Sequence, residues 1–285
     1  MTNATSLAAN FDPGIARPAR SLAAHEEPSP RAFVAVSALL FAFSAVVTVL
    51  WCNSMSDMGG MQMPGGWTMS MTWMRMPGQT WAGAAASFVA MWVVMMVAMM
   101  LPSLAPMLWR YRQSVGWARE TLRDRLTALV GLGYFFVWTL LGLAVYPVGA
   151  AAAAIEMNQP SLARAIPVAA GFVLLIAGAL QFSKWKAHHL TSCREAPGRA
   201  CVLPAHAGAA WRTGLRFGLH CGLSCANLTA VLLVAGVMDL RAMAAVTAAI
   251  TAERLAPGGK HVARAIGALI AGAGLFMIVQ AAGLR

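Results

Sequence analysis

The sequence predicts an all-α fold: a polytopic transmembrane helix bundle of about seven spans, six firm and one short. Three observations carry this prediction. The chain of 285 residues is 59% hydrophobic and only 11% charged, a balance typical of membrane proteins rather than soluble domains. Six apolar runs approach or exceed the roughly 20 residues that a spanning helix needs. The basic residues crowd alternate loops, the mark of positive-inside topology.

Each element follows from its local composition. Residues 1–31 are polar, charge-balanced and rich in Pro and Ala, and read as a disordered cytoplasmic tail ahead of a transmembrane domain at 32–285. The first span, 32–51, has too long an apolar region for a cleavable signal and no small-x-small site after it. A Gly- and Met-rich external loop, 53–80, separates it from the second span, 82–108. That span ends in the run Met91-Trp92-Val93-Val94-Met95-Met96-Val97-Ala98-Met99-Met100-Leu101-Pro102. Its methionines form adjacent stripes at i, i+4 spacing. Pro102 withholds the backbone bond that Ala98 would accept. Thioethers on an apolar helix are ordinary packing material, so only Met99 and Met100, beside the proline break, are singled out.

The third span, 126–151, is rich in Leu and Gly, contains Tyr134, and shows no evident chemistry. The fourth, 165–182, is featureless, but Lys186-Ala187-His188-His189-Leu190-Thr191-Ser192-Cys193-Arg194 follows it. If this stretch is helical, His189 and Cys193 share a face. The fifth span, 214–237, carries Cys221 and Cys225 at i, i+4, with His220 about 100° around the helix from Cys221. Gly214, Gly218 and Gly222 form a face that admits close helix approach. The run 242–252 spans only if its helix begins near Leu240 and continues through Glu253. The last span is 265–282.

Charge sets the orientation. The formal net charge of +11 would suit nucleic acid, but its distribution argues against that partner. Arg110, Arg112, Arg119, Arg123 and Arg125 follow the second span; Lys184, Lys186, Arg194, Arg199 and Arg212 follow the fourth; Arg254, Lys260 and Arg264 precede the last. The intervening loops hold only Arg75, Arg164 and Arg241. The expected setting is therefore a bacterial inner membrane, with the N-terminus cytoplasmic, the Met-rich loop periplasmic and the lipid bilayer as partner. Cys52 is then the lone external cysteine, and the other four are reduced thiols on or near the cytoplasmic side. Glu253 reads as a helix-end charge, Asp239 with Arg241 as a turn pair, and Cys201 as a bystander.

The chemistry points to soft metal. Fourteen of the nineteen methionines fall between Met55 and Met107. Met61/Met63, Met69/Met71 and Met74/Met76 form three Met-x-Met pairs in the external loop, where a Gly/Pro-rich segment offers no core to fill. A thioether is a soft ligand that suits Cu(I). Cys221 and Cys225 place two sulfurs where one ion can bridge them. By helical rise, Met99 and Cys221 lie at matching depth, about 13 and 12 Å from the cytoplasmic ends of their spans. The two clusters meet if those spans are neighbours. No phosphate-binding loop, nucleophile elbow, His-Glu-x-x-His or dinucleotide fingerprint is present, and the chain is not read as an enzyme.

Several blocks together carry a family resemblance. They are Trp92-x-x-Met95-x-x-Ala98-Met99-Met100-Leu101-Pro102-Ser103-x-x-Pro106-Met107, Gly218-Leu219-His220-Cys221, Gly236-Val237-Met238-Asp239-Leu240 and Glu253-Arg254-x-x-Pro257-x-Gly259. Over about 82–282 the chain resembles the bacterial predicted metal-binding integral membrane proteins, a family of unknown function. The resemblance implies metal binding. It also marks two departures: Ser224 and His189 stand where that family's pattern has cysteines.

The reading is a membrane protein that binds and relays a soft transition metal, most naturally Cu(I), with zinc as the borderline alternative. Outer methionines collect the ion, Met99/Met100 and Cys221/Cys225 hold it, and His189/Cys193 exchange it; either direction is compatible. The rival reading is a non-transporting membrane subunit or assembly factor. It would dock a membrane or periplasmic protein through the Gly face and basic loops, with a structural or delivered metal.

Overall fold

A computed structural model describes residues 30–57, 59–63, 67–69, 71–75, 78–115, 118–194 and 205–283. Residues 1–29 of the expected N-terminal tail, Met76 and Cys201 lie outside them, while the last two tail residues, Pro30 and Arg31, belong to the first helix. Among the described residues there are eight α-helices: α1 (Pro30–Asp57), α2 (Trp81–Ser114), α3 (Glu120–Asn158), α4 (Pro160–Leu180), α5 (Lys184–Arg194), α6 (Ala207–Ala235), α7 (Leu240–Leu255) and α8 (Gly259–Ala281). Six of these are long and apolar enough to cross a membrane: α1, α2, α3, α4, α6 and α8. All six correspond to the expected spans.

The expected seventh span is short and is not among these six. Helix α7 begins at Leu240 and extends past Glu253, but its 16 residues rise only about 24 Å, less than a hydrocarbon core of about 30 Å. Asp239 starts it by accepting from the backbone amides of Arg241 (2.8 Å) and Ala242 (3.1 Å). The turn pair expected there is thus a helix cap. At the other end of α7, Arg254 reaches Ser103 on α2, so the helix returns the chain along the bundle.

Close helix approach rests on glycine. A Cβ on Gly214 would stand 2.3 Å from the carbonyl of Val130, and one on Gly218 would stand 2.9 Å from the carbonyl of Tyr134. Two glycines of the expected face therefore seat α6 directly on α3, whereas Gly222 faces open space. At Gly214 and Gly218 this face is filled by the chain's own α3. Helix α4 packs along α8 and α1 lies against α2.

Between α1 and α2 the loop is not wholly irregular. Strands β1 (Met61–Met63) and β2 (Trp67–Met69) pair antiparallel, with Met61 opposite Met69 and Met63 opposite Trp67. A short 3₁₀ turn follows at Met71–Trp73. The expectation that this loop has no core needs correction. Met63 is buried with Ala153 and Ala163, and Trp73 packs against them. The ribbon is therefore anchored on the ends of α3 and α4.

Candidate metal centre

Helix α2 supplies the first half of the centre. Met91, Met95, Met96, Met99 and Met100 are all buried, as is Trp92 between them. The Trp92 indole donates to the carbonyl of Trp138 on α3 at 3.0 Å. A Cβ on Gly142 would lie 2.5 Å from the Trp92 ring, so only glycine leaves room for it. This fixes the rotation of α2 about its axis and turns the lower methionines toward α6.

Helix α6 supplies the second half. Cys221 and Cys225, at most 2% exposed, share one face and their sulfurs are 4.0 Å apart. Cys221 Sγ also lies 4.0 Å from Met100 Sδ. Helices α2 and α6 thus meet at the depth the sequence arithmetic requires. Met99 joins the same buried cluster.

Around the sulfurs stands a polar collar that the sequence reading missed. Tyr134 Oη lies 2.8 Å from Cys221 Sγ. The Arg254 guanidinium donates to Cys225 Sγ at 3.6 Å, Ser224 Oγ at 3.2 Å and Ser103 Oγ at 3.3 Å. Lys186 on α5 donates to the carbonyl of Ser224 and pairs with Glu253 at 2.8 Å, both side chains being 2% exposed. Gln181 donates to the same carboxylate at 2.8 Å. Glu253 is therefore not an interfacial helix-end charge. It is the buried anchor of Lys186, and the pair is affordable because both partners are hydrogen-bonded as well as charged. The available signal was the occurrence of Glu253-Arg254 and Lys186 next to apolar runs, since ionisable residues in such places need partners.

His220 does not join the cysteine pair. Its ring faces His189 on α5, with centroids 5.7 Å apart, and His189 also meets Trp185 at 4.7 Å and His188 at 5.5 Å. The Nδ1 atoms of His189 and His220 are buried without a hydrogen-bond partner. Burial, then the neighbouring His220 and His188, hold the His189 pKa below its ordinary 6.5, so the ring stays neutral and ligand-competent further into acid. Cys193 falls in the final turn of α5, but its side chain lies outside the described residues. Of the loop methionines, Met61 is exposed, Met63 is buried and Met74 is half-buried. Met69 and Met71 are placed by backbone only.

Among the described residues, no cluster of three or more His, Cys, Asp or Glu side chains is arranged to hold a metal ion. Beside the cysteine pair, the further donors in place are the Met100 thioether and the Tyr134 hydroxyl, each next to Cys221. A family model described as PpoB2, copper chaperone, matches residues 89–277, which takes in α2 from its methionine stripe onward, Cys221, Cys225 and Arg254. No curated protein and no solved structure matches the chain.

Proposed function

The chain belongs to this copper chaperone family, and from that membership we propose that it holds Cu(I) on Cys221, Cys225 and Met100 within a membrane-embedded bundle and passes it on. One observation carries the reading: both the Cys221–Cys225 and Cys221–Met100 sulfur separations are 4.0 Å. Two sulfurs bound to one ion at about 2.3 Å and 120° apart lie about 4.0 Å from each other. Two of the three sulfur–sulfur edges of a three-coordinate site therefore already have the required length. Two soft thiolates and a thioether favour Cu(I) over harder ions. A bis-thiolate Cu(I) complex carries one negative charge, and the adjacent Arg254 guanidinium offsets it; the zinc equivalent is neutral and gains less.

Each surrounding group has a physical task in this scheme. Tyr134 donates a hydrogen bond that holds Cys221 in place. Ser103 and Ser224 aim Arg254 at Cys225, and Lys186 ties α5 to α6 beside it. The Met61/Met63, Met69/Met71 and Met74/Met76 pairs collect the ion on the periplasmic side, and His189, His220 and Cys193 exchange it at the cytoplasmic face. Thioethers bind weakly enough to release their ion, which suits the loading end. The chain acts as carrier and not as enzyme.

The test is the copper content of detergent-purified protein loaded with Cu(I) under reducing conditions. Wild type should retain copper, the Cys221→Ser/Cys225→Ser variant should lose the tightly held ion, and a chain lacking residues 55–76 should load more slowly at limiting copper. Unchanged copper in the double-serine variant would remove this assignment. Flux of copper into proteoliposomes then distinguishes a relay across the membrane from delivery to a partner on one side.

A further inference from the structure

A second soft pair lies near the ribbon end of the bundle. Cys52 on α1 and Met238 in the α6–α7 turn bring their sulfurs to 3.7 Å. Cys52 is buried and Met238 half-buried, and both join the cluster that contains Met91, Met99, Met100, Cys221 and Cys225. Two sulfurs on one ion at about 2.3 Å and a tetrahedral angle lie about 3.8 Å apart. The contact therefore has the separation of a chelating pair.

Its depth is informative. Phe33 on α1 packs against Trp109 on α2, with ring centroids 5.4 Å apart, which registers these antiparallel helices. Counting along both places Cys52 level with the turn 87–91 of α2. The Arg254–Ser103 bond registers α7 on α2, and counting back from it brings Met238 to the same turn. That turn ends at Met91, the first methionine of the buried stripe. From there Met91, Met95 and Met99 descend in steps of about 6 Å, and Met91 stands about 14 Å above Met100. Nearby, a cavity of about 670 Å³ between α3, α4 and α6 is lined by Trp73, Gly236 and Val237.

We propose that Cys52 and Met238 form an outer loading site for a soft monovalent ion of the Cu(I) class, which feeds the methionine stripe of α2. The proposal rests on the copper reading above and adds the place where the ion first leaves water. Binding replaces the Cys52 thiol proton with the metal; the proton leaves to solvent, and the metal keeps its oxidation state. One thiolate and one thioether make a weaker seat than the lower centre, so the ion moves downward by affinity. Cys52 precedes the matched family region, whereas Met238 lies within it, so this half of the site belongs to this chain's own first helix.

Ag(I), a redox-inert stand-in for Cu(I), provides the probe. The number of ions bound to full-length protein is counted by native mass spectrometry against a weak thioether competitor. Cys52→Ser and the near-isosteric Met238→Leu should each remove one ion or weaken it at least tenfold, and the double variant should lose no more than either alone. Cys221→Ser/Cys225→Ser should keep the Cys52 ion. A wild-type count in Cys52→Ser, or losses from Cys52→Ser and Met238→Leu that simply add, would overturn the proposal. A loss in Cys52→Ser with an unchanged count in the double-serine variant would leave the outer site standing and remove the lower one.

Discussion

Cys221 touches Met100, Cys225 and Tyr134 at once, so substitutions around it should separate binding from stability. Met100→Leu conserves volume and should cost less than about 1.5 kcal/mol in stability. Copper affinity should nevertheless fall at least tenfold, as read by competition titration beside the thermal midpoint. Lys186→Met behaves in the opposite way. It strands Glu253 in the interior and should cost about 3–5 kcal/mol, much of it recovered when Glu253→Gln is added; thermal unfolding in detergent measures both. Nuclear magnetic resonance should find the His189 ring titrating below an ordinary imidazole, and His220→Asn should raise its pKa because one repulsive neighbour is gone. The face shared by Cys221 and Cys225 was legible in the sequence because i, i+4 spacing on a helix is a local property, and Met99 and Met100 were marked by the neighbouring Pro102 break. Arg254, Lys186 and Glu253 were not, because their meaning lies in partners brought together by tertiary folding. Tyr134 gave no local sign at all.

At the scale of elements, spans were readable wherever apolar length alone decides. The six long helices follow from runs that bury or face lipid throughout. Helix α7 was readable only conditionally, since Arg241, Glu253 and Arg254 at its ends dilute its apolar stretch. The β1–β2 ribbon was not foreseen: its strands are three residues each, and Trp73, docked against α3, completes the small core on which it rests. The fixed rotation of α2 depends on Gly142. Gly142→Ala should push against the Trp92 ring, cost about 1–3 kcal/mol, and shift the tryptophan emission along with the thermal midpoint. A Trp92→Phe change in the same background should restore part of that loss.

For the whole molecule, the alternating basic loops and the seven crossings expected from the sequence make a topological prediction. A periplasm-dependent phosphatase fused after residue 283 should be active, and the same reporter fused ahead of α1 should be inactive; the opposite result would invert the proposed direction of loading. The bundle also divides its chemistry by height. The buried stripe from Met91 to Met100 consists of side chains that have no proton to give up, so an ion moving along it leaves the local protonation unchanged. Cys221 and Cys225 hold metal only as thiolates, and seating an ion there liberates up to two protons. Movement along the stripe should therefore be indifferent to acidity, while loading at Cys52 above it and retention at Cys221 and Cys225 below it should both weaken as the medium becomes more acidic. The copper that such a chain retains should then depend on the proton concentration at the two ends of the stripe and not along it.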